Sequence, residues 1–273
     1  MNTRRPFEKL LVLTPTGNGL SYQTEVCIDE LTRLGAVKLR SDGNSCVAMH
    51  RSELAGKAEQ YLRQDPLGCD AVLWLDGDMV SSPNWVRELY ELVALVAKAR
   101  PAPFGDHPDA AAAQSWTAEQ VQAWKRENAP ALCGAYVKRN LPTHMALRRV
   151  FPSVPDLEVE VQRETGRFEK YSLPAVVSGM GCMMQTREAF LVHCSEAPRI
   201  EQGAAPDFPA ICASGPGQSA DGSVCWASED WMYTSWEWQR GRGVYLVRHA
   251  LFGHVCPVVR YPTADTILED GDT

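Results

Sequence analysis

The chain has 273 residues, 45% of them hydrophobic and 22% charged, with a formal net charge of −7. That supplies a globular core for one large domain or two small ones. The acidic balance excludes binding to nucleic acid or an anionic membrane by overall charge alone. The 9 cysteines include no CxxC, so no zinc knuckle is visible and free thiols in a reducing compartment are expected. No stretch approaches a membrane span, and the apolar run near the N-terminus is too short for a signal peptide. A cytoplasmic protein without a membrane anchor is expected.

Lys9–Thr14 reads as a buried strand that stops at the loop Thr14-Pro15-Thr16-Gly17-Asn18-Gly19. Ser21 can cap a helix running to about Leu34, with Gly35 as its stop. Ala36–Arg40 is a second strand, and Cys46–Arg63 a second helix. Ala71–Leu75, apolar on both faces, fits a central parallel strand. This βαβαβ order argues for an open α/β sheet. Ligands then sit beyond the carboxyl ends of the strands, so Thr14–Asn18, Ser41–Asn44 and Asp76–Asp78 should converge on one crevice. No GxGxxG follows the first strand, which removes the dinucleotide fingerprint.

Pro83 suits the first turn of a third helix, capped by Ser81 or Ser82, with Trp85, Leu89, Leu92, Val93 and Val96 at helical spacing. Residues 101–115 are rich in Pro and Ala and read as a loop. Trp116–Arg126 predicts a short helix capped by Ser115 or Thr117, and Leu132–Val137 a strand. Residues 140–156 are ambiguous, and 157–173 suggest a hairpin turning near Thr165-Gly166. Val176–Gly181 leads to a strand at Cys182–Gln185 and a helix over about Thr186–His193. Residues 195–224, rich in Pro, Gly, Ala and Ser, read as a long loop. Ser228 caps a helix through Arg240, ended by Gly241. Gly243–His249 is the last strand, followed by Phe252-Gly253-His254, and the acidic tail 261–273 reads as flexible.

Asp76-Gly77-Asp78 ends an apolar strand. Two carboxylates there can hold Mg²⁺ or Mn²⁺, which prefer hard oxygen ligands, although Asp-Gly-Asp is also a good turn. Gly77 permits a tight turn between them. His254 is a candidate third ligand, or a structural histidine in a turn. Glu229 and Asp230 open a helix, where the dipole favours acids; either could also act as a general base. Trp231, Trp236 and Trp238 follow, as core or as a stacking surface for an acceptor.

Taken together, these segments resemble a GT-A fold glycosyltransferase of the family 2-like group. Asp76-Gly77-Asp78 matches its DxD motif, Val177-Ser178-Gly179-Met180-Gly181 its Gly-rich strand, Glu229-Asp230 its acidic pair and Phe252-Gly253-His254 its late histidine. The similarity covers residues 8–100, 130–193 and 224–258. It implies a single catalytic domain over 1–260, with a nucleotide-sugar-binding half at 1–100 and an acceptor half at 129–260. The segments 101–128 and 194–224 depart from the pattern as inserts. It further implies a divalent metal held by Asp78, His254 and Asp76, and a nucleotide-diphospho sugar, UDP-linked by preference. Donor contacts would come from Thr14, Pro15, Thr16, Asp42, Arg51, Asp76, Gly77, Gly179 and Gly181. Asp230 would be the base of an inverting transfer, with Glu229 orienting acceptor or sugar.

The acceptor could be a glycan, a lipid, a protein or a modified DNA base. The basic residues Lys138, Arg139, Arg148 and Arg149 leave the last open. A nucleotidyltransferase on a similar scaffold is the alternative enzyme, but the Thr14–Asn18 loop holds no basic residue for a triphosphate. A catalytically inactive sugar-nucleotide-binding protein is the non-enzymatic alternative.

Overall fold

The structure, a computed structural model, describes residues 6–16, 19–41, 46–64, 68–100, 115–137, 147–149, 154–163, 165–202, 205–212, 214–218, 224–255 and 259–260. Asp42, the tail 261–273 and most of the 101–115 segment lie outside them.

The first half follows the expected order: β1 (Leu10–Pro15), α1 (Tyr22–Arg33), β2 (Val37–Ser41), α2 (Val47–Gln64) and β3 (Ala71–Leu75). A short strand β4 (Met79–Ser81) then precedes α3 (Pro83–Ala99) and α4 (Ala118–Glu127). The second half contains β5 (Ala131–Ala135), β6 (Leu147–Arg149), β7 (Leu157–Gln162), β8 (Phe168–Leu173), β9 (Val176–Ser178), β10 (Cys182–Thr186) and α5 (Arg187–Glu196). Two hairpins follow, β11 (Arg199–Gln202) with β12 (Ala205–Pro209), and β13 (Gly215–Gln218) with β14 (Val224–Ala227). The described chain closes with α6 (Glu229–Gln239), β15 (Val244–Val255) and β16 (Val259–Arg260).

The main sheet runs β16-β15-β5-β10-β3-β1-β2, with β4 on β15. β2, β1 and β3 are parallel, as are β5 and β15, while β10 lies antiparallel between β3 and β5. The chain therefore forms a mixed α/β fold in which both halves share one sheet.

The central strands are apolar on both faces because each face is covered. Leu10, Val12, Leu73 and Leu75 pack with Ile28 and Leu31 of α1 and Leu89 and Val93 of α3. Leu11, Leu13, Val72 and Trp74 pack with Leu54 and Leu62 of α2 and Phe190 of α5. Local capping chemistry sets the helix starts. Ser21 accepts from the Thr24 amide, Ser82 accepts from Trp85 ahead of Pro83, Thr117 and Gln120 form a reciprocal capping box, and Ser228 accepts from Trp231. Gly35 and Gly241, with φ of 111° and 73°, end α1 and α6 in the left-handed region.

Two features differ from the sequence reading. Residues 195–224 contain paired strands rather than one loop. The β11–β12 hairpin docks on α2 at Gly56, where an added methyl would stand 2.5 Å from Phe208 Cβ, and Arg199 grips Glu59 of α2. The last strand does not stop at His249. It passes a register shift between Val247 and Leu251 and continues to Val255, pairing Phe252, Gly253 and His254 with Ser81, Val80 and Met79 of β4. His254 thus lies within a strand, not after one. Gly77 sits in the expected tight turn, closed by the Met79 amide donating to Asp76 O at 3.0 Å; it does so without a positive φ, and an added methyl there would stand 3.0 Å from Gly19 O and 3.2 Å from Pro15 O. Among the described residues, no helix is long and apolar enough to cross a membrane, and the described cysteines form no disulfide.

Candidate functional site

The carboxyl ends of β1 and β3, the start of α2 and the first turn of α6 border one crevice of about 480 Å³. Asp76, Gly77, Asp78, Glu229 and Asp230 all line it, although more than 150 positions separate the two acidic pairs.

Arg51 joins them. It sits on α2 and is 2% exposed. Its Nη2 donates to both oxygens of Asp76 at 2.8 Å, and its Nη1 donates to Glu229 Oε1 at 3.1 Å and to Asp230 Oδ1. A planar guanidinium can place one nitrogen on Asp76 and another on the acids of α6, which the single nitrogen of an ammonium does not. Burial alone would lower the Arg51 pKa, but Asp230 and Asp76 outweigh it and hold the group well above its ordinary value. Arg51 is therefore no solvated helix residue; one cation ties β3 to α6.

The two aspartates of the Asp-Gly-Asp turn have different partners. Asp78 Oδ2 stands 3.2 Å from His254 Nε2, and His254 Nδ1 is 3.0 Å from the Val137 carbonyl oxygen. A carbonyl only accepts, so Nδ1 carries a proton and donates, which leaves Nε2 facing the Asp78 carboxylate. Two donor atoms on adjacent vertices of an octahedral cation, at the usual bond lengths of about 2.1 Å, lie roughly 3 Å apart. The Asp78–His254 separation matches that edge, and the carbonyl-anchored Nδ1 is the usual outer contact of a metal-ligating histidine. The pair fits a divalent cation on chemistry and spacing.

The three-ligand set expected from the sequence does not assemble. Among the described residues, no group of three His, Cys, Asp or Glu side chains is placed to hold a metal. Arg51 occupies both oxygens of Asp76 and draws that carboxylate toward α6 instead.

The Gly-rich segment anchors both acids. Its Met180 amide donates to Asp230 Oδ1 at 3.0 Å, and its Gly181 carbonyl accepts from the Asp76 amide at 3.1 Å. Beneath it lies Tyr136, 4% exposed, whose ring meets that of His254 edge-on at 6.3 Å. Burial first, then the charges of Asp230 and Asp76, push this phenol well above its ordinary pKa, so it stays protonated.

Of the expected donor contacts on β1, Pro15 borders the crevice. Thr14 is fully buried in the strand, and Thr16 turns its hydroxyl to the Ser41 carbonyl. Trp236 and Trp238 are structural: Trp236 meets the His193 ring at 4.5 Å, and Trp238 Nε1 donates to Val176 O at 3.1 Å. Lys138 and Arg139 lie outside the described residues. Two residues escaped the sequence reading. His50, beside Arg51 on α2, is 2% exposed and lines the crevice, with no hydrogen-bond partner for Nδ1 among the described residues. Tyr136 carried no signal beyond following an apolar strand.

No family model matches the chain, and no curated protein matches it. Among solved structures, the crystal structure of A197 from STIV is similar at 13% identity and a TM-score of 0.43, over 93% of this chain and 94% of that chain.

Proposed function

We propose that the protein is a metal-dependent GT-A glycosyltransferase that moves a sugar from a nucleotide-diphospho sugar, UDP-linked by preference, to an acceptor hydroxyl with inversion. The observation that carries this reading is that Asp78, whose carboxylate faces His254, and the Asp230–Glu229 pair at a helix start border one crevice. The first suits a leaving diphosphate and the second an incoming hydroxyl.

Asp78 and His254 would hold Mn²⁺ or Mg²⁺, which as a Lewis acid stabilises the charge that develops on the departing diphosphate. Asp76 keeps lone pairs beyond those bound by Arg51 and can still accept from a ribose hydroxyl or a metal-bound water. Asp230 is the base. Its Oδ1 is held by Arg51 and the Met180 amide, leaving Oδ2, beside Gly179, to take the acceptor proton. As the acceptor oxygen bonds to the anomeric carbon, the bond from that carbon to the phosphate oxygen breaks, and its electron pair leaves with the diphosphate. Glu229, fixed by Arg51, orients the acceptor.

The test is a screen of nucleotide sugars for binding and nucleotide release with and without Mn²⁺. Asp78→Ala or His254→Ala should each weaken metal-dependent donor binding at least tenfold. Asp230→Asn should spare binding and lower turnover by about 10²–10⁴-fold, the usual contribution of a general base. Donor binding without turnover would point to an inactive sugar-nucleotide-binding protein. Pyrophosphate release from a nucleoside triphosphate and a sugar phosphate would point to the nucleotidyltransferase. Absence of any metal-dependent donor binding sinks the proposal.

A further inference from the structure

The resemblance assigns Gly179 and Gly181 to the donor sugar and acceptor. The geometry gives them a different neighbour. A methyl added at Gly179 would stand 2.2 Å from Tyr136 Oη, 3.3 Å from Asp230 Oδ2 and 3.5 Å from Tyr136 Cζ. One added at Gly181 would stand 3.3 Å from Tyr136 Oη and 3.4 Å from Asp76 Oδ2. Neither glycine is among those with positive φ, so space rather than backbone conformation excludes a side chain. The phenol oxygen fills the room the two glycines leave, and it does so under the segment whose amide holds Asp230 and whose carbonyl holds Asp76.

We propose that Tyr136 is a positioning residue: its hydroxyl is a wedge under Gly179–Gly181 that sets where Asp230 and Asp76 stand relative to each other. Its role in the reaction rests on the glycosyltransferase reading. The base must meet the acceptor oxygen while the donor is held near Asp76 and Asp78, and misplacement by about 1 Å can cost 10²-fold in rate. The wedge acts through the backbone of 179–181.

The numbers single out a compensating pair. Gly179→Ala alone collides with the hydroxyl. With Tyr136→Phe the oxygen is gone, the new methyl meets Cζ at an ordinary 3.5 Å, and only the 3.3 Å approach to Asp230 Oδ2 needs a small adjustment.

The experiment compares the full-length wild type, Tyr136→Phe, Gly179→Ala and the double variant. Metal-dependent donor affinity, kcat, acceptor KM and melting temperature are read for each. Tyr136→Phe should keep donor affinity within about twofold and lower kcat about tenfold or more. Gly179→Ala should lose more, and the double variant should return to the level of Tyr136→Phe instead of multiplying the two losses. A wild-type kcat for Tyr136→Phe overturns the proposal, and so does a double variant that shows the product of the single losses. If the wild type has no turnover, the glycosyltransferase reading fails separately. The melting temperatures then still test the wedge: Gly179→Ala must lower stability and the added Tyr136→Phe must restore part of it, and additive losses overturn it.

Discussion

Arg51→Met removes the guanidinium and keeps most of the apolar stem. Three carboxylates then face one another with no cation between them. Breaking a buried ion pair by deleting one partner costs about 3–5 kcal/mol. Here the deleted partner is 2% exposed, but Asp76, Glu229 and Asp230 retain 27%, 20% and 29% side-chain exposure. Water can solvate them in part, so the lower end, about 3 kcal/mol, is expected. For a domain of this size each kcal/mol moves the melting temperature by about 2–4 °C, giving a fall of roughly 6–12 °C. Thermal unfolding followed by circular dichroism, near neutral pH and at low salt, measures it. Millimolar Mn²⁺ should recover more stability in the variant than in the wild type, because the cation can replace the lost charge among the acids. Arg51→Lys should recover only part, since one ammonium nitrogen cannot stand both where Nη2 meets Asp76 and where Nη1 meets the acids of α6. A melting temperature within about 2 °C of wild type, corresponding to less than roughly 1 kcal/mol, would falsify the claim that Arg51 ties β3 to α6.

A second buried network lies at the other end of α6. Burial raises the Glu237 pKa, but His193 and Arg242 outweigh it and hold this fully buried carboxyl below its ordinary 4.5. A folded pKa below the unfolded one adds stability above the unfolded pKa that is lost as pH falls through the folded value. Glu237→Gln should therefore be less stable at pH 7 and lose less stability on acidification below about pH 4.5, read as urea midpoints against pH; parallel curves refute this. Among the described cysteines, Cys46 is exposed, whereas burial pushes Cys133 up to about 12 and Cys182 and Cys194 well above 9. Iodoacetamide at pH 8 should alkylate Cys46 first among them by peptide mass spectrometry, because only the thiolate reacts; early labelling of Cys133 contradicts the packing.

The parts of this fold that follow from local chemistry could be read from the chain. Ser21, Ser82, Thr117 and Ser228 announce helix starts through hydrogen bonds from amides three positions on, and Gly35 and Gly241 announce stops. Leu10–Leu13 and Ala71–Leu75 announce buried strands by being apolar throughout. What stayed hidden depends on distant partners. Met79–Ser81 is a strand only because β15 arrives beside it, and strands β11 and β12 are held by Glu59 and Gly56 of α2. The site divides in the same way. Asp76, Asp78, Glu229 and Asp230 were visible as acids at element ends. Their sorting, with Asp78 facing an imidazole and Asp76, Glu229 and Asp230 facing a guanidinium, was not. That sorting is decided by Arg51, whose hydrogen-bond partner Glu229 is 178 positions away. Without Arg51, both turn aspartates could face the same cation. With it, Asp76 is tied to the guanidinium that also holds the acids of α6 while Asp78 faces His254, so the two ends of one Asp-Gly-Asp turn have different partners.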